Sequence, residues 1–240
     1  MDRKTSYPQL PEEKLRGVVR TSFDSPEPTE AQLGRKRRNI GIVKAMGLGW
    51  IEHLPVVEDE STVQARTKED VASRCLATVL CAIKGESNDG ALVEELVEKY
   101  SANEFFSPME RAFLRDPEAS RQDLTDFAWR YECVHVFLWA LGYLPELNPP
   151  GQIADVSKEV GIISDKGPEN FTRDATLRSR AEILDQADLY YRLHWAAIDL
   201  RLHGRRNDLA NEEIIMERHR ALNWLIRYMD QEWDDVTTDT

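Results

Sequence analysis

The chain has 240 residues, 41% of them apolar, which is enough for one large domain or two small ones around a proper core. Its formal net charge of −12 is spread along the chain. That argues against nucleic acid as a partner, because phosphate binding needs surplus Lys and Arg on one face, and against docking on an anionic membrane.

In chain order, residues 1–28 carry Pro8, Pro11, Pro26 and Pro28 and little periodicity, so they are expected to form a flexible leader. They contain no apolar core of a signal peptide. "TEAQLGRKRRNIGIVKAMGLG" opens on a cap, Thr29, and ends in glycines; Leu33, Ile40, Val43 and Met46 share a face, with Arg35–Arg38 expected in solvent. "WIEHLPVV" reads as a loop or one edge strand. "TKEDVASRCLATVLCAIKG" starts with Thr67 and Asp70, a variant capping box, and "DGALVEELVEKYS" is a short amphipathic helix. In "SPMERAFL", Ser107, Pro108 and Glu110 give cap, first-turn proline and box closure.

"SRQDLTDFAWRYECVHVFLWALGYL" is apolar nearly all round from Phe127 to Leu144 and reads as one central, buried helix, ended by "NPPG". Residues 151–178 predict a short helix near Asp155–Ile163 and then a loop. Two helices follow, Ser179–Gly204 and Asn211–Trp233, joined closely enough to form an antiparallel hairpin. "DQEWDDVTTDT" is expected to dock through Trp233, continuing the last helix's stripe, with its acids near Arg35–Arg38. Nothing alternates with period two. The expected fold class is all-α: a single irregular helical bundle over residues 29–240, with a central buried helix, a C-terminal hairpin and at most a minor β element.

A helix turns about 100° per residue, which places the polar side chains. On Ser179–Gly204, Ile183, Ala187, Tyr190, Tyr191, Ala197 and Ile198 share an arc with His194 at its centre and Arg201 close by. Glu182, Asp185, Asp188, Arg192, Asp199 and His203 take the other side. On the last helix Arg218 lies inside the apolar arc and Glu217 and His219 flank it, while Glu132 on the central helix is surrounded by Ala128, Trp129, Val136 and Trp139. Unpaired buried charge is costly, so Glu132 is expected to pair with Arg201 or Arg218 and His194 to bridge them. This cluster is either a structural polar network or a pocket with a catalytic group among Glu132, His194, Arg201, Arg218 and Glu217.

Other chemistry is thinly represented. Glu182, Asp185 and Asp188 form a three-residue ladder, a weak divalent-metal candidate that reads better as a solvated face. No Glu has a His three residues on, as a di-iron bundle requires, and His-Glu-x-x-His, Gly-x-Ser-x-Gly, Walker and dinucleotide-loop motifs are absent. No cofactor is expected. Cys133 and His135 are near in sequence but point apart on a helix, and Cys75, Cys81 and Cys133 lack the Cys-x-x-Cys pattern, which suits free thiols in a reducing cytoplasm.

Trp129-x-Tyr131-Glu132, the run Arg192-Leu193-His194-Trp195, Glu217-Arg218-His219-x-Ala221-Leu222-Asn223-Trp224 and Trp233-Asp234-Asp235-Val236 together resemble the bacterial domain-of-unknown-function family DUF4272. The resemblance covers about residues 35–240. It implies a domain boundary and brings no catalytic residue. The function expected is a cytoplasmic accessory module that binds a protein or a small-molecule ligand. The alternative is a small-molecule hydrolase working at the Glu132/His194/Arg218 cluster, which a pocket opening onto that cluster would favour.

Overall fold

The computed structural model describes residues 27–240; the expected leader, apart from its last two residues, lies outside the described residues. Helix α1 is Glu30–Ala45, with Thr29 and Gln32 closing a capping box at its start. A loop, with no strand, carries the chain through residues 46–67. Thr67 and Asp70 close the box that starts α2, Lys68–Ser87, and α3 follows at Gly90–Lys99. Ser107, Pro108 and Glu110 start α4, Pro108–Arg115, as their order predicts.

The long apolar stretch is two helices, α5 (Arg121–Trp129) and α6 (Tyr131–Ala140), where one was expected. The break is a tight turn: the Arg130 N–H reaches back three residues to the Phe127 carbonyl, which redirects the axis. All ten residues of α6 are buried. Helix α7, Val156–Asp174, also departs from expectation, since the predicted loop after Ile163 is largely helical. Its two halves meet at Gly167, at φ 65°, and Pro168, which begins the second half where no backbone N–H is needed.

Helix α8 is Arg180–Leu202, boxed by Ser179 and Glu182, and α9 is Glu212–Leu225, capped by Asn211. They pack against each other as the expected hairpin, and α1 lies along another side of α8. The last helix ends at Leu225, short of Trp233, because Arg227, Met229 and Asp230 all take left-handed φ. Two short turns then bring Trp233 back over the core, where it meets Phe137 and Trp224. The C-terminal segment is therefore docked, with Trp233 and Val236 buried and Met229 exposed. Its acids meet other partners than Arg35–Arg38: Asp234 accepts the Met109 N–H at the start of α4, and Glu232 lies 3.5 Å from Arg66.

Most of the buried apolar side chains form one continuous cluster in which α6 sits between α2 and α9. Among the described residues the fold is all-α, and no helix is long and apolar enough to cross a membrane.

Candidate functional site

Arg218 on α9 is the best-satisfied charge in the core and is fully buried. Its Nε donates to Glu132 Oε2 at 2.8 Å. Nη1 donates to the Asn148 carbonyl at 2.7 Å and to the Tyr190 hydroxyl at 3.0 Å, while Nη2 donates to Asn148 Oδ1 at 2.6 Å and the Gln152 carbonyl at 3.0 Å. Glu132 Oε1 accepts the Ala154 N–H at 2.8 Å. The pair thus ties α6, α8 and α9 to the loop over residues 141–155. A guanidinium suits this role because its planar fork can serve several acceptors at once. Gly151 lets the loop lie close to its neighbour, since a Cβ there would fall 2.2 Å from the Asp208 carbonyl oxygen.

A second buried pair anchors the same loop. The Asn148 N–H donates to His135 Nε2 at 3.2 Å, so in the neutral ring Nδ1 carries the proton and donates to Glu159 Oε1 at 2.6 Å. Burial raises the Glu159 pKa and His135 opposes that rise.

The loop pinned in this way forms one wall of an open cleft of about 450 Å³. Gly85 on α2 and Leu124 and Ala128 on α5 form the other walls, Trp129, Tyr131 and Glu132 line the junction of α5 and α6, and Ile153 stands at the rim. Gly85 sets the spacing: a Cβ on it would lie 2.6 Å from the Ala128 nitrogen and 2.7 Å from the Leu124 carbonyl oxygen. The Tyr131 hydroxyl donates to Glu86 at 2.9 Å, leaving its ring to the cleft, and burial together with Glu86 raises its pKa.

The other sequence candidates do not gather here. His194 is buried but pairs with His219, Nδ1 to Nδ1 at 3.0 Å, rather than bridging Glu132 and Arg218. Burial lowers both pKa values, that of His219 to about 3, so the pair is neutral at pH 7. Arg201 does not face the core. It lies in the last turn of α8, at the connected end of the hairpin, where its exposed side chain meets Glu212 at 2.9 Å. Glu217 is buried against Arg130 at 2.6 Å and accepts from Cys133 Sγ at 3.2 Å, and burial pushes the Cys133 thiol well up. Cys133 and His135 do point apart, each to its own acid.

The acidic ladder is a solvated face only in part: Glu182 and Asp185 stay in reach of solvent, and Asp188 is buried. Glu182 holds Ser179 and Arg178; Asp185 takes Arg35 at 3.1 Å and Arg38 at 2.8 Å; Asp188 is fully buried against Arg192 at 2.6 Å and Asn39 at 2.8 Å. Each acid is engaged by its own protein partner, and no three metal-binding side chains gather among the described residues. Arg35 and Arg192, both expected in solvent, are buried by the packing of α1 on α8.

The family described as "Domain of unknown function (DUF4272)" matches residues 35–236, a span that includes every residue of the cleft and of the Arg218 network. The chain belongs to the DUF4272 family. No curated protein and no solved structure matches it. Membership in DUF4272 brings no reaction with it, so the cleft has to be read from its own geometry. Of the sequence candidates only Glu132 lines it. Arg121, Thr125, Trp129 and Ile153 were missed because they become neighbours only through the turn at Arg130 and the pinned loop; the run after Pro149-Pro150-Gly151 was their only local signal.

Proposed function

We propose that this member of DUF4272 is a small-molecule-binding module whose ligand occupies the cleft between α2, α5 and the Ile153–Val156 segment. The observation that carries the reading is the cleft itself, about 450 Å³ and walled mainly by apolar side chains. That is the size and character of an ordinary ligand site. Its far wall is held by the buried pairs Glu132–Arg218 and His135–Glu159, so the shape is set before a ligand arrives. Three buried free thiols fit a reducing, cytoplasmic setting. Binding is favoured over hydrolysis: Glu132 reaches the cleft, but its oxygens are committed to Ala154 and Arg218, and His194 is committed to His219.

Ligand-observed NMR with a library of apolar fragments tests this. Hits should compete with one another, and Ile153→Asp, which places a charge on an exposed rim position, should weaken them several-fold. A library without hits, or hits indifferent to Ile153→Asp and to the cleft-filling Ala128→Phe, would overturn the assignment.

A further inference from the structure

The side chains that line the cleft differ in what they leave uncommitted. The Thr125 hydroxyl donates to the Arg121 carbonyl at 2.9 Å, and the Tyr131 hydroxyl donates to Glu86. Glu132 is the one acid in the lining, and its charge is matched by Arg218. Two groups remain. The Arg121 guanidinium, exposed at the first position of α5, makes no side-chain hydrogen bond or ion pair among the described residues. The indole N–H of Trp129, a donor only, is also unbonded among them. Both uncommitted groups are donors, one of them a full positive charge, and the apolar walls lie beside them. The contrast with the whole chain is sharp, since at −12 it repels anions in general.

We infer that the ligand is an organic anion: an apolar body seated against Leu124, Ala128, Tyr131 and Ile153, with a carboxylate or similar group held at the mouth by Arg121. Guanidinium and carboxylate match as two parallel N–H donors to two oxygens, which is why Arg rather than Lys suits the place. Arg121 here is a binding residue and transfers no proton. The inference rests on the cleft reading and adds to it the sign of the ligand's charge.

Decanoate, 1-decanol and decylamine share a chain length and differ in head-group charge. The full chain is titrated with each, followed by tryptophan fluorescence and checked by calorimetry. Decanoate should bind about fivefold or more tighter than decanol, the scale of one partly exposed ion pair, and decylamine weakest. Arg121→Gln should bring decanoate to the level of decanol and leave decanol unchanged, while Arg121→Lys should keep part of the preference. Equal or tighter binding of decanol or decylamine to the unaltered chain would overturn the anion inference and leave the cleft reading intact. So would a decanoate preference that survives Arg121→Gln. Binding of none of the three would overturn the anion inference as stated, and fragment hits in the cleft would show which of the two readings had failed.

Discussion

Arg218→Met removes the fork that holds the loop to three helices and replaces it with an apolar chain of similar length. Glu132 is then a buried carboxylate without its cation, and such a change costs about 3–5 kcal/mol. The Asn148 and Gln152 carbonyls also lose donors, which adds about 1 kcal/mol each where water cannot replace them. For a chain of this size each kcal/mol moves the Tm by roughly 2–4 °C, so a total of about 5–7 kcal/mol lowers it by about 10–28 °C. Glu132→Leu leaves the guanidinium with its loop and Tyr190 acceptors but without its counter-charge, and should cost a few kcal/mol. The double change removes the charge mismatch created by either single one, so it should cost less than their sum by about 2 kcal/mol. Urea unfolding followed by circular dichroism measures all three, and Arg218→Lys, which keeps the charge but not the fork, serves if Arg218→Met does not fold. Hydrogen exchange adds a local readout, because the Ala154 amide should lose protection in Glu132→Leu. Additivity within about 0.5 kcal/mol, or a Tm for Arg218→Met within about 2 °C of the parent, would refute the pairing as the element that holds the loop.

The His194–His219 pair makes stability depend on pH. Burial holds the His219 pKa at about 3 and lowers that of His194, from 6.5 in an open chain, so below pH 6.5 the unfolded state takes up protons that the native state refuses. Stability is full above that pH and falls as pH drops toward 3, by up to about 1.4 kcal/mol per pH unit for His219. His219→Phe should flatten the slope between pH 6.5 and 5 in urea titrations, and an unchanged slope would count against the neutral pair. Gly85→Ala drives a Cβ into the backbone of α5, so it should cost about 2–3 kcal/mol and reduce ligand binding as the helices part; normal stability would mean that α2 and α5 can separate freely. Trp233→Ala strips a buried ring from Phe137 and Trp224 and should cost about 3–5 kcal/mol, whereas an unchanged Tm would show that the C-terminal segment is not docked.

The elements legible in the sequence were those set by local chemistry. The boxes at Thr67/Asp70 and Ser107/Glu110 start helices because their side chains satisfy the first free N–H groups, whatever the rest of the chain does. Glu132 and Arg218 were legible as a pair for a similar reason: each lies inside an apolar arc, and two lone buried charges of opposite sign have little choice but each other. The turn at Arg130 was not legible, since an uninterrupted apolar stretch holds no residue that forbids helix. It is stabilised by contacts remote in sequence, including Arg130 with Glu217.

The acidic ladder shows where one-helix reasoning fails in principle. Periodicity assigns a helix one buried face and one wet face, which holds when a single neighbour covers it. Helix α8 has two, α9 on one side and α1 on another, and α1 brings Arg35 and Asn39 as well as the aliphatic Ile40 and Val43. Asp188 and Arg192 can then be buried, because each is matched within the same helix and Asn39 completes Asp188. Where the polar part of one helix meets the polar part of another, no hydrophobic stripe marks the contact. The signal lay instead in complementarity, with acids every third residue on α8 and the basic run Arg35–Arg38 on α1. The same logic separates the structural charges from Arg121. In the core every sequence-predicted charge found a protein partner, and at the cleft mouth Arg121 has none among the described residues, which is why the ligand's charge is sought there.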